Sequence, residues 1–120
     1  MFVRMMFAAH VFPLHEFRWG DLLRFRPLPG HTPGQVGLLL QGTRQTVLIA
    51  ADAIHHPLQV LAPGIVSAFC ADPAQAVATR AALLEEAAAE KLALIPHHAR
   101  SRPLWRIARQ GGGYTLHDAA

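Results

Sequence analysis

The chain is poor in cysteine, lysine and charge. Cys70 is the only cysteine in 120 residues, which excludes an internal disulfide framework and a cysteine-based zinc knuckle. A cytoplasmic location is the matching expectation. No apolar run reaches the ~18–20 residues of a membrane span. The opening stretch from Met1 to Phe7 is interrupted soon afterwards by His10, Pro13, His15 and Glu16. No small-x-small cleavage site follows, so neither a signal peptide nor a membrane partner is expected. Charged residues make up 16%, below the usual ~25%. With several apolar runs, that argues against disorder and for surface that wants a partner.

What is present fits one domain with a single core. Eleven Lys+Arg against eight Asp+Glu give a net charge of +3 with His neutral. The basic residues are almost all arginine, Lys91 being the only lysine. Arg100, Arg102, Arg106 and Arg109 sit close together, but no nucleic-acid motif accompanies them, so a solvated edge is expected and no nucleic-acid partner.

Residues 1–19 carry aromatics without a clean period. From Leu22 to Arg26 the chain reads as a short strand, stopped by Pro27, Pro29 and Gly30. Val36 to Leu40 and Thr46 to Ala51 read as an antiparallel hairpin turning at 42–44. Their continuous apolar runs imply cover on both faces. Residues 53–71 form a long irregular stretch, a length that in compact domains usually serves function. Asp72-Pro73-Ala74-Gln75 announces a helix with Asp72 as N-cap and Pro73 at N1. It should run to about Lys91, with Val77, Ala81, Leu84 and Ala88 as its packing stripe and Glu85, Glu86 and Glu90 on the wet side. Leu92 to Ile95 is a strand, Leu104 to Ala108 a short helical or irregular segment, and Tyr114 to Leu116 a last strand.

Three strand ends deliver residues that bind metals. His31 follows the first strand, Asp52 ends the third, and His98 follows the strand after the helix. Ligands on a rigid scaffold facing an open edge are what a catalytic metal site needs. Imidazole with carboxylate suits zinc, iron or manganese. Taken singly, each residue also fits a bland role: His31 in a turn, Asp52 in an Asx-turn, His97 and His98 at the surface.

The run Pro29-Gly30-His31-Thr32-Pro33-Gly34 resembles the GHTPG motif of the metallo-β-lactamase-fold hydrolases. The strand ending at Ala51-Asp52, followed by Ala53-Ile54-His55, resembles that superfamily's GD motif. The capped helix with Thr79-Arg80 and the late His98 resemble the branch of methyl parathion hydrolase and lactonase-like proteins. The similarity covers about residues 19–114. It implies an α/β fold: half of an αβ/βα sandwich, a mixed, mostly antiparallel sheet under one long helix, with 1–120 as a single partial domain and 20–116 as its matched core. It implies two zinc ions, with His31 on one, Asp52 bridging both and His98 on the other, while His55 sits near the site, either behind the ligands or at the substrate side. The implied reaction is hydrolysis of a small-molecule ester, lactone or phosphotriester by metal-activated water.

Four departures accompany the match. The family's H-x-H-x-D-H motif, from its N-terminal half, is missing. Gln35 stands where a second His is common, Ala51 where Gly is usual, and Cys70 where an acidic residue is common. Cys70 reads as a small buried hydrophobe with no basic partner beside it in sequence. A truncated C-terminal half would lack ligands for the full dinuclear centre and leave Leu38, Leu40, Val47 and Ile49 without the opposing sheet. The expectation is that residues 1–19, a second copy (a homodimer) or the missing N-terminal half closes that face, or that it stays open. The alternatives are a non-catalytic remnant or dimerising binding domain of the same fold, and a single-metal site of His31, Asp52 and His98.

Overall fold

The computed structural model describes residues 4–7, 10–13, 18–100 and 103–119. Strands β1 (Arg4–Phe7) and β2 (His10–Pro13) form an antiparallel pair outside the main sheet. The main sheet contains β3 (Arg18–Trp19), β4 (Leu23–Pro27), β5 (Val36–Gln41), β6 (Thr46–Ala51), β7 (Ala93–Pro96), β8 (Trp105–Gln110) and β9 (Gly113–Asp118), in that spatial order. Every pairing is antiparallel except β6 with β7. Between those two lie a short α1 (Leu58–Leu61) and the long α2 (Pro73–Glu90). A parallel pair needs such a crossover.

The strand directions fix where the site can be. β4, β6 and β7 all run the same way, because β5 is antiparallel to both β4 and β6, and β6 is parallel to β7. Their C-terminal ends therefore share one edge of the sheet. The loops that leave that edge carry His31, Asp52 and His98.

The two faces differ in cover. Leu39, Leu48, Leu94 and Trp105 are cross-strand neighbours in one row. All four are buried in the core with Leu83, Leu84 and Ala87 of α2. The adjacent row of Phe25, Leu38, Ile49 and Ile95 points to the opposite face and is only half-buried. Leu40 and Val47 are half-buried too. The expected closure of this face by residues 1–19 involves side chains outside the described residues.

Helix α2 begins as expected, with the Asp72 carboxylate accepting from Gln75 N at 3.0 Å. Its buried stripe is Ala76, Arg80, Leu83, Leu84 and Ala87, which shares only Leu84 with the stripe expected. Ala81 is exposed, and Val77 and Ala88 are half-buried. Among so many alanines apolar periodicity is weak, and the stripe contains a buried arginine that hydropathy places outside. Glu86, expected on the wet side, is half-buried in a bidentate pair with Arg26 of β4. The segment read as helical or irregular at 104–108 is strand β8, with Trp105 and Ile107 buried and Arg106 and Ala108 half-buried in alternation. Gly111 and Gly112, at φ +55° and +80°, make the two-residue hairpin loop to β9. Arg106 donates to Lys91 O and Gln45 Oε1, and Arg109 pairs with Glu85. Arg102 lies outside the described residues. Among the described residues, no helix is long and apolar enough to cross a membrane.

Candidate metal centre

The loop from Leu28 to Gln35 holds His31. It closes on itself through Leu28 N to Gln35 O at 2.8 Å and Gln35 N to Thr32 O at 3.3 Å. Helix α2 clamps it from the side, Thr79 Oγ1 donating to Pro29 O at 2.6 Å. Gly30 is indispensable here: its φ is +136°, and a Cβ would come within 2.4 Å of the Ala76 backbone.

Asp52 leaves β6 through a left-handed residue. Ala51 has φ +48°, a conformation that a Cβ disfavours by roughly 1–2 kcal/mol. Here the glycine of the resembling motif has a physical role that alanine fills under strain. His97 N donates to Ala51 O at 3.3 Å, tying the end of β7 to the same corner. Gln35 then fixes Asp52: its Oε1 accepts from Asp52 N at 3.2 Å while its Nε2 donates to Leu28 O at 2.9 Å.

The three strand-end residues meet. His98 Nε2 lies 2.8 Å from Asp52 Oδ1, and His31 Nε2 lies 3.6 Å from Asp52 Oδ2. The His98 side chain is 61% exposed against 21% for His31 and 27% for Asp52, so His98 forms the open rim. His55 fills the space between, its ring centroid 4.7 Å from that of His31 and 5.8 Å from that of His98, onto which it stacks. Its Nδ1 is buried and has no hydrogen-bond partner among the described residues. Burial first, then the neighbouring His31, holds its pKa below the ordinary 6.5, with Asp52 pulling the other way. His55 is therefore a neutral imidazole at pH 7.

The contacts of three supporting residues were not legible in local sequence. Buried Gln59 accepts from His55 N at 2.7 Å and His56 N at 3.3 Å, and donates to Ile65 O. Buried Arg80 donates to the carbonyls of Ala53, Pro63 and Ile65, which organises the stretch read as irregular. Cys70 is buried as expected, but the basic partner missing from its sequence surroundings is supplied by the fold: its Sγ lies 3.6 Å from His31 Nδ1. Beside His55, Leu58, Ile65 and Val66 line an apolar recess of about 380 Å³.

No protein-family profile matches the chain, and no curated protein matches it in sequence. Solved structures do. AidC, a dizinc quorum-quenching lactonase, superposes with a TM-score of 0.79 at 20% identity, over 88% of this chain and 36% of its own. The hydrolase AbOPH of the beta lactamase superfamily gives 0.76 at 21% identity, over 84% and 36%. The chain has the metallo-β-lactamase fold. It spans about a third of the length of these two hydrolases, in the mixed sheet and covering helix that the sequence implied.

Within that fold the donor set fits a metal pair in part. The imidazoles present Nε2 to different oxygens of one carboxylate, the chemistry of a ligand shared between two ions. Each ion would then draw two ligands from this chain, where a catalytic zinc takes about three from protein. Among the described residues no three His, Cys, Asp or Glu side chains are already set as a metal cage.

Proposed function

We propose that the chain supplies the C-terminal part of a metal-dependent hydrolase, nearest the methyl parathion hydrolase and lactonase-like branch, acting on an ester, lactone or phosphotriester. The observation that carries this reading is the placement of His31 and His98 on opposite oxygens of Asp52. Zinc is the first choice of ion, with iron or manganese compatible with the same donors. A pair of such ions supplies Lewis acidity that activates water and stabilises charge developing on a substrate oxygen. The chain's own residues bind and orient: Asp52 is pinned by Gln35, His31 by the α2-clamped loop, and neutral His55 packs between the His31 and His98 rings beside the apolar recess. The adjoining apolar recess suits an uncharged substrate group. An N-terminal half carrying H-x-H-x-D-H, upstream or on a separate chain, would complete the ligand set.

The test is zinc binding by the purified chain, alone and with an H-x-H-x-D-H polypeptide. Binding by the chain should weaken at least tenfold in H31A, D52N and H98A. EDTA-sensitive hydrolysis of an aryl ester should appear only with the added half. Variants that bind zinc like the parent would refute the assignment.

The count of two ligands per ion favours a second reading, a non-catalytic or dimerising domain that keeps the shape of the fold. It predicts substoichiometric zinc in every preparation and unchanged folding in all three variants.

A further inference from the structure

We propose that Cys70 is the positioning residue of His31, its sulfur holding the imidazole so that Nε2 faces Asp52. This rests on the metal-site reading above, but the contact itself can be tested without metal. The sulfur lies 3.6 Å from His31 Nδ1, within hydrogen-bond range for sulfur. Cys70 is 8% exposed whereas its neighbour Phe69 is 88% exposed, so the chain turns the thiol inward and the larger apolar ring outward. Hydrophobicity alone would choose the reverse.

The backbone fixes this arrangement. Ala71 N donates to His31 O at 3.0 Å and Asp72 N to Gly30 O at 2.9 Å. The segment after Cys70 is thus zipped to the segment that carries His31. Cys70 N donates to Ser67 O, closing a turn just before the helix cap. Both residues sit on loops anchored to α2, His31 through Gly30 and Thr79, Cys70 through Asp72. The pair therefore keeps its spacing as one rigid corner.

The chemistry gives the contact a purpose. An imidazole that offers the Nε2 lone pair to a metal must carry its proton on Nδ1, and the partner of Nδ1 sets the tautomer and the ring orientation. A buried sulfur can accept that proton's hydrogen bond. A carboxylate at position 70 would make the same contact with a longer reach.

The experiment compares the parent chain with C70A, C70S and C70D. In the metal-free protein the ¹⁵N resonance of His31 Nδ1 should move in C70A and C70S, which cannot reach it, while that of His98 stays. With zinc, C70A should bind about tenfold more weakly, at the low end for loss of such a partner, and C70D should restore the affinity. Thermal melting controls for folding. An Nδ1 resonance indifferent to residue 70 would overturn the proposal, as would a C70D chain that recovers nothing. Should the parent bind no zinc, the metal reading falls, and the Nδ1 resonance alone decides the role of Cys70.

Discussion

At the scale of single residues, the site is governed by groups that hold one another at fixed distance. His55 is the clearest case. Its folded pKa lies below 6.5 because burial and His31 disfavour the imidazolium. Unfolded, the same side chain titrates near 6.5. As pH falls through 6.5 the unfolded chain takes up this proton first, so the stability from neutral His55 is complete above about 6.5 and is lost on acidification toward the folded pKa. Denaturant unfolding of the metal-free chain at pH 7.5 and 5.5 should show a smaller loss in H55N than in the parent. Equal losses would mean that His55 is not held neutral. Gln35 makes a related point. As a metal ligand it is a poor substitute for histidine; as a bridge from Leu28 O to Asp52 N it fixes the backbone from which the carboxylate projects.

At the scale of elements, helix α2 does more than cover the sheet. Its N-terminal turn approaches Gly30, Thr79 holds Pro29, and Arg80 gathers three carbonyls from residues 53–65. One helix therefore clamps both the loop that carries His31 and the stretch behind His55. Replacing Arg80 by Met fills much of the volume but leaves the Ala53 and Pro63 carbonyls without this donor, while Ile65 O keeps that of Gln59. A buried acceptor stripped of its partner costs ~1–3 kcal/mol, so R80M should lose about 3 kcal/mol or more in urea unfolding. Amide exchange should accelerate first across residues 53–65. A loss below 1 kcal/mol would show that water replaces the guanidinium freely.

At the scale of the whole molecule, the sheet has one finished face and one half-finished face. Phe25, Leu38, Ile49 and Ile95 form a continuous apolar row on the half-buried side. At ~25 cal/mol per Å², covering a few hundred Å² there is worth several kcal/mol, enough to drive association with a second copy or with a complementary half. Sedimentation velocity should show concentration-dependent association that I49D suppresses, together with reduced binding of a hydrophobic dye. A monomeric parent that binds no dye would mean that the face is already closed.

The residues themselves determined the hairpin of β5 and β6, the capped start of α2 and the three strand ends that carry His31, Asp52 and His98, because turn chemistry and apolar runs are local signals. They misassigned β8 and all of the α2 stripe but Leu84, where alternation with arginine and a run of alanine weakened those signals. Only the tertiary structure decided that the three ends share one edge, since that depends on the directions of β4, β6 and β7. It alone brought Cys70 to His31, 39 positions apart, and Arg80 to its carbonyls. Contacts made across a crossover arise from chain path and packing, which no local stretch of sequence encodes.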